Sequence, residues 1–310
     1  MDQKIMLSTR EIATFLNINE KMVYSLISDK GLPATKITGK WLFPRYLVEQ
    51  WLENETINYP KTFNPVHPCQ GLLVITGSND ILLDRMISLF NRLHSEHVAV
   101  FGNIGSAGGI KALKNNLCHI AASHLMQDDE QEYNFDFTSR EFEKNPPALV
   151  NFCKREQGLI ITKENPLSIS GISDLDQKGL KIANRPKGTG TRLLLDKELS
   201  KAGLNGSNIK GYEQVFMTHM DVALQVLSGS ADTALAIKPV ASLLNLKFIP
   251  LRQERFDLLI SKDFFFEKKV QMFLELLHKP KFHKIADELD GYDLSLCGKV
   301  VFPNQINPTR

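Results

Sequence analysis

Long apolar runs are missing from this 310-residue sequence. No stretch approaches the roughly 20 apolar residues that a membrane helix needs, which excludes a helical membrane span. The first six residues, Met1–Met6, also lack the apolar core of a secretory signal. The sequence therefore predicts a cytoplasmic protein with no membrane partner.

Paired cysteines are missing as well. The four cysteines, Cys69, Cys118, Cys153 and Cys297, form no Cys-x-x-Cys pair. Scattered cysteines of this kind are typical of buried, reduced thiols in a cytosolic protein. We therefore expect them to hold no metal, and the sequence predicts no cofactor.

An excess of charge of one sign is the third absence. The net charge is +2, and residues 1–60 hold seven Lys or Arg against seven Asp or Glu. A broad basic field therefore does not supply affinity for nucleic acid, which must come from how the charges are placed. The 43% apolar and 23% charged residues are ordinary for a globular chain, and the length predicts two or three compact units.

The first fifty residues follow a helical pattern. A capping box at Ser8 and Glu11 predicts the start of one helix, and Gly31 predicts the end of a second. The apolar face of the second helix is predicted to consist of Met22, Val23, Leu26 and Ile27. A hairpin is predicted around Thr38-Gly39-Lys40, followed by a third helix over Arg45–Glu53.

Helix, helix, wing and helix in this order resemble the excisionase branch of the MerR-like winged helix-turn-helix proteins. The resemblance covers residues 7–53 and rests on the segments 7–13, 23–24 and 39–44. It implies a DNA-binding domain over residues 1–55, with double-stranded DNA as the partner and the second helix in the major groove. The candidate DNA contacts are Thr9, Arg10, Lys21, Tyr24, Ser25, Lys36, Lys40 and Arg45. A protein-interaction module is the alternative that the same pattern leaves open.

The rest of the chain alternates between strands and helices. Residues 56–70 carry three prolines and no periodicity, which predicts a semi-rigid linker. The predicted strands that follow are Leu72–Thr76, Val98–Phe101, Cys118–Ala122 and Leu180–Ala183. The predicted helices are Ile81–Leu93, Leu193–Leu199 and one that begins at Ile110. This alternation predicts an α/β fold with a parallel sheet, helices on both faces and a ligand at the carboxyl ends of the strands.

Loops at those strand ends are rich in glycine and hydroxyl groups, namely 76–80, 105–109 and 185–192. Glycine lets the backbone approach a ligand closely, and a helix start presents free N–H groups. The loop 185–192 therefore has the chemistry of an anion cradle, although it lacks the Walker pattern. A purely structural turn is the alternative interpretation.

The chain from residue 71 to about residue 290 resembles the type II periplasmic-binding-protein-like domain of cytosolic regulators, akin to molybdate- and tungstate-binding proteins. The resemblance rests on segments in matching order, namely 105–110, 123–125, 155–160, 188–192, 211–212, 218–219, 229–232, 248–251 and 254–258. It implies a ligand-sensing domain over residues 71–300, built of two α/β lobes that close on the ligand like a hinge. Lobe one is expected over residues 71–155 and 262–300, and lobe two over residues 156–261.

The same resemblance implies where a tetrahedral oxyanion is held. The ligand-binding candidates are Ser78, Asn79, Ser106, Ser123, Thr189, Gly190, Thr191, Arg192 and Tyr212. Alternatives stay open, because Arg192 can instead pair with Asp196, and Tyr212, Thr218 and His219 can either face the cleft or take a core or capping role. Asp232 offers only acceptors when ionised, so it is predicted to anchor backbone rather than to touch an anion.

Together the resemblances imply a ligand-responsive transcriptional regulator that senses a small molecule, expected to be a molybdate- or tungstate-like oxyanion, by lobe closure. A short helix-turn-helix makes few base contacts, so a homodimer or higher homo-oligomer is expected. An enzyme is not predicted, because no motif links Cys118, Cys153, His119 or His219 as nucleophile and base. Two alternatives remain: an enzyme on this scaffold linked to molybdenum-cofactor metabolism, and an excisionase-like architectural DNA binder.

Overall fold

The computed structural model describes residues 5–37, 39–56, 71–127, 132–143 and 145–303. The chain divides into two compact units, Met1–Asn64 and Pro65–Arg310. Most of the predicted linker lies outside the described residues, as do Cys69 and Thr38. Within the described part, no helix is long and apolar enough to cross a membrane.

The first unit holds three short strands and three helices. The strands are β1 (Met6–Ser8), β2 (Thr35–Ile37) and β3 (Lys40–Pro44), and the helices are α1 (Thr9–Phe15), α2 (Glu20–Lys30) and α3 (Arg45–Glu55). The strands form an antiparallel sheet of order β1-β3-β2. The predicted order of helix, helix, hairpin and helix is confirmed, and β1 is an addition that the sequence pattern did not reveal.

Local signals in this unit act as the sequence predicts. The Ser8 hydroxyl accepts the Glu11 backbone N–H at 3.4 Å, and the Ser8 N–H donates to the Glu11 carboxylate at 2.8 Å. At the far end of α2, Gly31 has a φ of 65°, a left-handed conformation that glycine adopts without a steric penalty. The capping box and the glycine stop are therefore both confirmed.

The core of the first unit consists of Leu7, Ile12, Ala13, Val23, Leu32, Phe43 and Val48. The prediction that Met22 shares this core is wrong, because its side chain is 49% exposed. The stripe of α2 that faces the core is centred on Val23, with Leu26 and Ile27 three and four residues further on. Met22 precedes Val23 by one position, about 100° around the helix, so its side chain lies beside the core-facing stripe and is exposed.

The second unit is a mixed α/β domain. Its strands are β4 (Leu72–Gly77), β5 (Val98–Asn103), β6 (Ile120–Ser123), β7 (Ala148–Ile161), β8 (Ile182–Ala183), β9 (Thr233–Ile237), β10 (Lys247–Ile260) and β11 (Tyr292–Asp293). Its helices are α4 (Ile81–Leu93), α5 (Gly105–Lys114), α6 (Phe135–Phe142), α7 (Gly190–Lys201), α8 (His219–Leu227), α9 (Lys238–Leu243), α10 (Lys262–Phe265), α11 (Lys268–Glu275) and α12 (Pro280–Asp287). The α/β class is therefore confirmed.

The sheet is only partly parallel. Its order is β5-β4-β6-β10-β7-β9-β8, with β11 beside β7. β4 runs parallel to β5 and β6, and β8 runs parallel to β9, as predicted. β10 is antiparallel to β6 and β7, and β7 is antiparallel to β9. The prediction of a wholly parallel sheet is wrong, because two long strands run between the lobes in opposite directions.

Those two strands, β7 and β10, are 14 residues each and join the lobes. The apolar segments 148–152 and 158–161 are both parts of the single strand β7. Along β10, residues 247–250 pair with β7 beside β9, whereas residues 257–260 pair with β6. The return strand therefore enters the sheet of lobe one before residue 261, where the sequence placed the boundary.

Helix α5 begins at Gly105, five residues before the predicted start at Ile110. Three of its first five residues are glycines, which have low helix propensity, so the sequence pattern indicated a loop. Close packing explains the glycine at one position. A Cβ on Gly109 would lie 2.7 Å from Cα of Gly77, so only glycine lets this helix approach β4.

Candidate ligand-binding cleft

The two lobes touch where lobe two begins α7. A Cβ on Gly190 would lie 2.5 Å from Cε1 of His124 and 2.9 Å from its backbone oxygen. A second contact joins the Asn103 amide of lobe one to the Met217 carbonyl of lobe two, at 2.9 Å. The structure therefore has the lobes closed on each other.

Four helices start near this contact. Asp80, Thr189 and Thr218 are the N-caps of α4, α7 and α8, and each side chain accepts a backbone N–H of its own helix. Gly105 starts α5 opposite Thr189, since a Cβ on Gly105 would lie 3.4 Å from Cγ2 of Thr189. First-turn amides lack intrahelical partners, and the helix dipole is positive at this end. The cleft therefore has the electrostatics that favour an anion.

A buried ion network lines the lobe-one side and the joining strands. Arg155 of β7 donates to Asp80 and to Glu254 of β10, at 2.6 Å each. Glu254 also accepts the Gln157 amide at 2.6 Å and pairs with His124 Nδ1 at 2.7 Å. Burial raises the pKa of Glu254, but His124 and Arg155 outweigh it and lower the pKa to about 2. Glu254 is therefore ionised at neutral pH.

Six polar side-chain atoms at the cleft are buried without a hydrogen-bond partner, out of ten such atoms in the described part of the chain. We call them the orphan cluster: Arg155 Nη2, Gln157 Oε1, Arg185 Nε, Thr191 Oγ1 and both ring nitrogens of His219. A buried polar atom without a partner costs about 1–3 kcal/mol. Such a concentration of unpaired atoms in one place indicates a polar ligand.

The residues of the orphan cluster are close enough to act on one another. The charges of Arg185 and Arg155 both affect the ring of His219, and Arg155 affects Arg185, while Gln157 donates to Glu254, which is ion-paired with Arg155. Arg185 also donates to the Phe216 carbonyl at 3.0 Å, just before α8 begins. The cluster therefore lies where β7, the loop 185–191 and the start of α8 meet.

Arg185 supplies positive charge that no carboxylate neutralises directly. Arg155 is compensated by ion pairs to Asp80 and Glu254, whereas Arg185 has no ion pair to any described residue. Burial, followed by the charge of Arg155, lowers the pKa of Arg185 to about 10, against the smaller opposing effect of the Asp221 carboxylate, which forms no ion pair with it, so the side chain stays protonated at neutral pH. A buried, unpaired cation of this kind is stabilised by an anion in contact with it.

His219 is neutral in this setting. Burial lowers its pKa well below the usual value, and the positive charges of Arg185 and Arg155 lower it further. A neutral imidazole offers one N–H donor and one acceptor. Together with the arginines and the Thr191 hydroxyl, it gives the cluster at least four donor groups.

The structure places the predicted ligand residues in different settings. Thr191 belongs to the orphan cluster, and Gly190 forms the contact between the lobes. Ser78 Oγ lies 2.9 Å from His124 Nε2, and Ser106 Oγ accepts the His124 backbone N–H at 3.3 Å. The other three donate elsewhere: Thr189 to the Pro186 carbonyl, Ser123 to Asn134 and Asn79 to Asp84.

Arg192 and Tyr212 have their polar groups occupied. Arg192 Nε lies 2.8 Å and 3.1 Å from the two Asp196 oxygens, and the Tyr212 hydroxyl donates to Asp196 at 2.6 Å. The Arg192 guanidinium also lies 4.0 Å from the centre of the Tyr212 ring. The alternative pairing of Arg192 with Asp196 is therefore observed, and ligand contact by these two residues stays a prediction. Asp232 accepts the Lys181 backbone N–H at 2.7 Å, which confirms its anchoring role.

Sequence reasoning assigned no role to Arg155 or Gln157, included Arg185 only as the first residue of the predicted anion cradle 185–192, and left His219 between a cleft and a core position. Only a weak signal for the first two was present: Arg155 and Gln157 lie two positions apart in the polar run 154–157 of β7, so they share one face of the strand, but the run itself does not show that this face is buried. Arg185 and His219 gave no such signal. They come together only through the fold, since Arg185 donates to the carbonyl of Phe216, 31 positions away.

A nucleophile paired with a base was not visible in the sequence. The structure shows such a hydrogen-bonded contact between Ser78 and His124, which are 46 positions apart. The three described cysteines are buried, and burial raises the pKa of Cys118 to about 11 and that of Cys297 to about 12. The described residues contain no group of three or more His, Cys, Asp or Glu placed to hold a metal ion.

The surface predicted to bind DNA is exposed on the first unit. Arg10, Lys21, Tyr24, Ser25, Lys36 and Lys40 are exposed, and Thr9 and Arg45 are partly buried. Arg45 pairs with Glu49 at 2.8 Å, and Lys36 lies over the Trp41 ring at 5.6 Å. Val23 faces the core from the same helix, so Lys21, Tyr24 and Ser25 lie on the exposed side of α2.

Comparison with protein families confirms both resemblances. Residues 6–56 match the family described as helix-turn-helix domain, and residues 87–278 match the family described as PBP superfamily domain. The Bacillus subtilis (strain 168) protein YvgK is 28% identical over 309 residues, which cover 97% of this chain and 99% of YvgK. The similarity to YvgK therefore extends over both units.

Solved structures support the fold of the second unit. A phosphate-bound protein from Clostridium perfringens, assigned as a substrate-binding protein of a phosphate ABC transporter, matches with a TM-score of 0.57 at 12% identity, over 72% of this chain and 99% of that chain. The tungstate ABC transporter structure from Geobacter sulfurreducens matches with a TM-score of 0.51 at 12% identity, over 71% of this chain and 100% of that chain. At such low identity these matches show the fold alone.

Proposed function

Because this chain belongs to the PBP superfamily and also carries a helix-turn-helix domain, we propose that it is a DNA-binding transcriptional regulator whose effector is a tetrahedral oxyanion. A helix-turn-helix domain joined to a ligand-binding fold supports, in general terms, a regulator that binds both DNA and a ligand. The oxyanion, with molybdate and tungstate as the first candidates, is the more specific part of the proposal. The predicted cytoplasmic location belongs to it as well, since a regulator shares a compartment with its DNA.

The orphan cluster carries this proposal. Its donors are Arg185 Nε, Thr191 Oγ1 and one nitrogen of His219 from lobe two, and Arg155 Nη2 from β7, a strand that joins the lobes. A tetrahedral oxyanion presents acceptors in four directions, so it can accept from all of these groups at once. The first-turn amides of α7, at Gly190 and Thr191, add neutral donors on the side of lobe two.

Closure of the two lobes gives the ligand a way to control DNA binding by the helix-turn-helix domain, called the head below. An oxyanion in contact with both lobes stabilises the closed arrangement relative to an open one, by the difference of its affinities for the two. A homodimer is part of the proposal, because two heads related by symmetry read two half-sites of one operator. Ligand then changes DNA affinity through the arrangement of the two heads.

A thermal-shift screen tests the ligand. Molybdate and tungstate at a hundredfold excess over their dissociation constants should stabilise the folded protein by about 2.7 kcal/mol, which is seen as a raised melting temperature. Sulfate, phosphate and small organic acids serve as comparison ligands. The variant Thr191→Ala removes an orphan hydroxyl and should reduce the shift, whereas Ser207→Ala, exposed elsewhere in lobe two, should not. A shift with organic acids alone would contradict the oxyanion proposal.

The DNA-binding role is tested on one helix. Duplexes selected by the protein from a random-sequence pool provide the probe, and binding is measured by fluorescence anisotropy. Lys21→Ala should weaken binding about tenfold, since a lost groove contact costs roughly 1–3 kcal/mol. Lys30→Ala, an exposed lysine at the other end of the same helix, is the matched control and should have a much smaller effect. Equal effects from both lysines would show that α2 does not enter the groove by its first turn.

A further inference from the structure

Ser78, His124 and Glu254 form a buried chain of hydrogen bonds, and the inference drawn from it rests on the proposed oxyanion-binding function. Ser78 Oγ lies 2.9 Å from His124 Nε2, and His124 Nδ1 lies 2.7 Å from Glu254 Oε2. The three side chains come from the loop after β4, the loop after β6 and strand β10. All three are nearly inaccessible, with relative exposures of 1%, 1% and 4%. Water therefore does not compete for their hydrogen bonds.

The positions of the protons in this chain follow from its acidic end. Glu254 is ionised, so it accepts a hydrogen bond and His124 Nδ1 must carry the proton. Burial lowers the pKa of His124, which leaves Nε2 without a proton at neutral pH. Ser78 therefore donates its only proton to Nε2 and presents only lone pairs to any other neighbour. In this state the Ser78 hydroxyl repels an anion.

We propose that a fully deprotonated oxyanion binds in the cleft together with one proton, which His124 takes up at Nε2. Protonated His124 donates to Ser78, and the Ser78 hydroxyl is then free to donate to the anion. His124 acts as a positioning residue, since it sets the direction of the Ser78 hydrogen bond without touching the ligand. Proton uptake by His124 thereby changes the Ser78 hydroxyl, as seen by the anion, from a group that can only accept a hydrogen bond into one that donates.

The charges around His124 fit this exchange. The charged and titratable groups that face it are Glu254 on β10, Arg155 on β7, Arg185 in the loop before α7 and His219 at the start of α8. Gln157 of β7 lies 3.5 Å from Nδ1, and the Phe256 ring is stacked on the imidazole at 5.6 Å. Two arginines oppose protonation while the cleft holds no anion. An oxyanion beside Arg185 offsets that opposition and raises the pKa of His124.

The linkage has a definite sign. Without ligand, the pKa of His124 lies below its usual value, and with the anion it lies higher. Between these two values the complex holds one proton more than the free protein, so affinity falls as the pH rises, by at most tenfold per pH unit. Below the lower value and above the higher one, affinity no longer depends on this proton.

Molybdate binding to the full chain tests the proposal by calorimetry. Titrations between pH 6 and about pH 8 are repeated in two buffers with different ionisation enthalpies, which measures the protons taken up per anion. Wild-type protein should take up close to one proton over part of this range and bind molybdate more weakly at higher pH. The variant His124→Gln should lose the uptake, because it removes the group that takes the proton. Ser78→Ala should reduce the uptake, because protonated His124 then no longer prepares a donor for the anion, although the anion still offsets the charge of Arg185.

A matched histidine variant separates this proton from others. His283 is exposed on α12 and contacts the Leu277 carbonyl, so His283→Gln should leave the uptake unchanged. Wild-type binding that is independent of pH and takes up no proton would overturn the inference but leave the oxyanion function standing. Uptake that persists in His124→Gln would place the proton on another group, such as His219, and would also overturn it. Absence of molybdate binding at every pH would remove the oxyanion function itself.

Discussion

Replacement of Arg185 by glutamine should weaken oxyanion binding by two orders of magnitude or more. Arg185 is a buried cation with an orphan Nε and no ion pair to a described residue, so the anion is its expected partner. Loss of one member of a buried, hydrogen-bonded charge pair costs roughly 2–5 kcal/mol, which corresponds to about 30-fold to several thousandfold. Calorimetric titration with molybdate and tungstate measures the change, and Arg185→Lys shows how much of it depends on the position of the guanidinium nitrogens.

Arg192 provides the control for Arg185. It stands at the first turn of α7, in the segment that the sequence assigned to the ligand, but its guanidinium contacts Asp196 and the Tyr212 ring. Arg192→Gln should therefore change affinity much less than Arg185→Gln, while it lowers the melting temperature of the ligand-free protein. The reverse order of effects would return the ligand contact to Arg192 and contradict the assignment from the orphan cluster.

Replacement of Gly190 by alanine should block closure of the lobes. The added Cβ would lie 2.5 Å from Cε1 of His124 and 2.9 Å from the His124 backbone oxygen, both closer than real contacts allow. An anion would then bind to lobe two without the donors of the joining strand, and affinity should fall on the order of 100-fold, as expected when the competent state is rarely populated. DNA binding should lose its response to molybdate in the same variant.

Folding of lobe two should survive this change. Alanine has a higher helix propensity than glycine, and Gly190 is the first residue of α7. Gly171→Ala is the matched control, because a Cβ there meets no atom within 4 Å and the backbone is extended. It should leave both affinity and the DNA response unchanged. Full affinity in Gly190→Ala would show that the ligand does not need the contact between Gly190 and His124.

Much of the fold could be predicted from the sequence, because the residues that start and end its helices act locally. The capping box at Ser8, the glycine stop at Gly31 and helix α4 over Ile81–Leu93 each depend on residues within a few positions of one another. The antiparallel pairing of β7 with β10 could not be predicted from the sequence. Strand direction depends on which distant segment a strand pairs with, and an apolar run reads the same in either direction.

The proposed site could be predicted in part: its glycine- and hydroxyl-rich loop could be predicted, whereas its buried charged residues could not. The loop that contains Gly190 and Thr191 was predicted as part of the proposed site because glycine and hydroxyl groups before a helix are a local pattern for anion binding. The charged part was missed. Arg155 reaches Asp80, 75 positions away, and Glu254, 99 positions away, and no periodicity relates such residues.

The sequence by itself determined the two-domain plan, the helix-turn-helix order and the glycine- and hydroxyl-rich composition of the loop before α7, because each depends on short-range patterns of size, polarity and backbone freedom. Tertiary structure alone decided which charges meet in the cleft. It left Arg185 without a carboxylate partner, and it aligned Ser78, His124 and Glu254. The reason is that burial and proximity set the charge and the hydrogen-bond direction of a side chain, and both arise only when distant segments pack together.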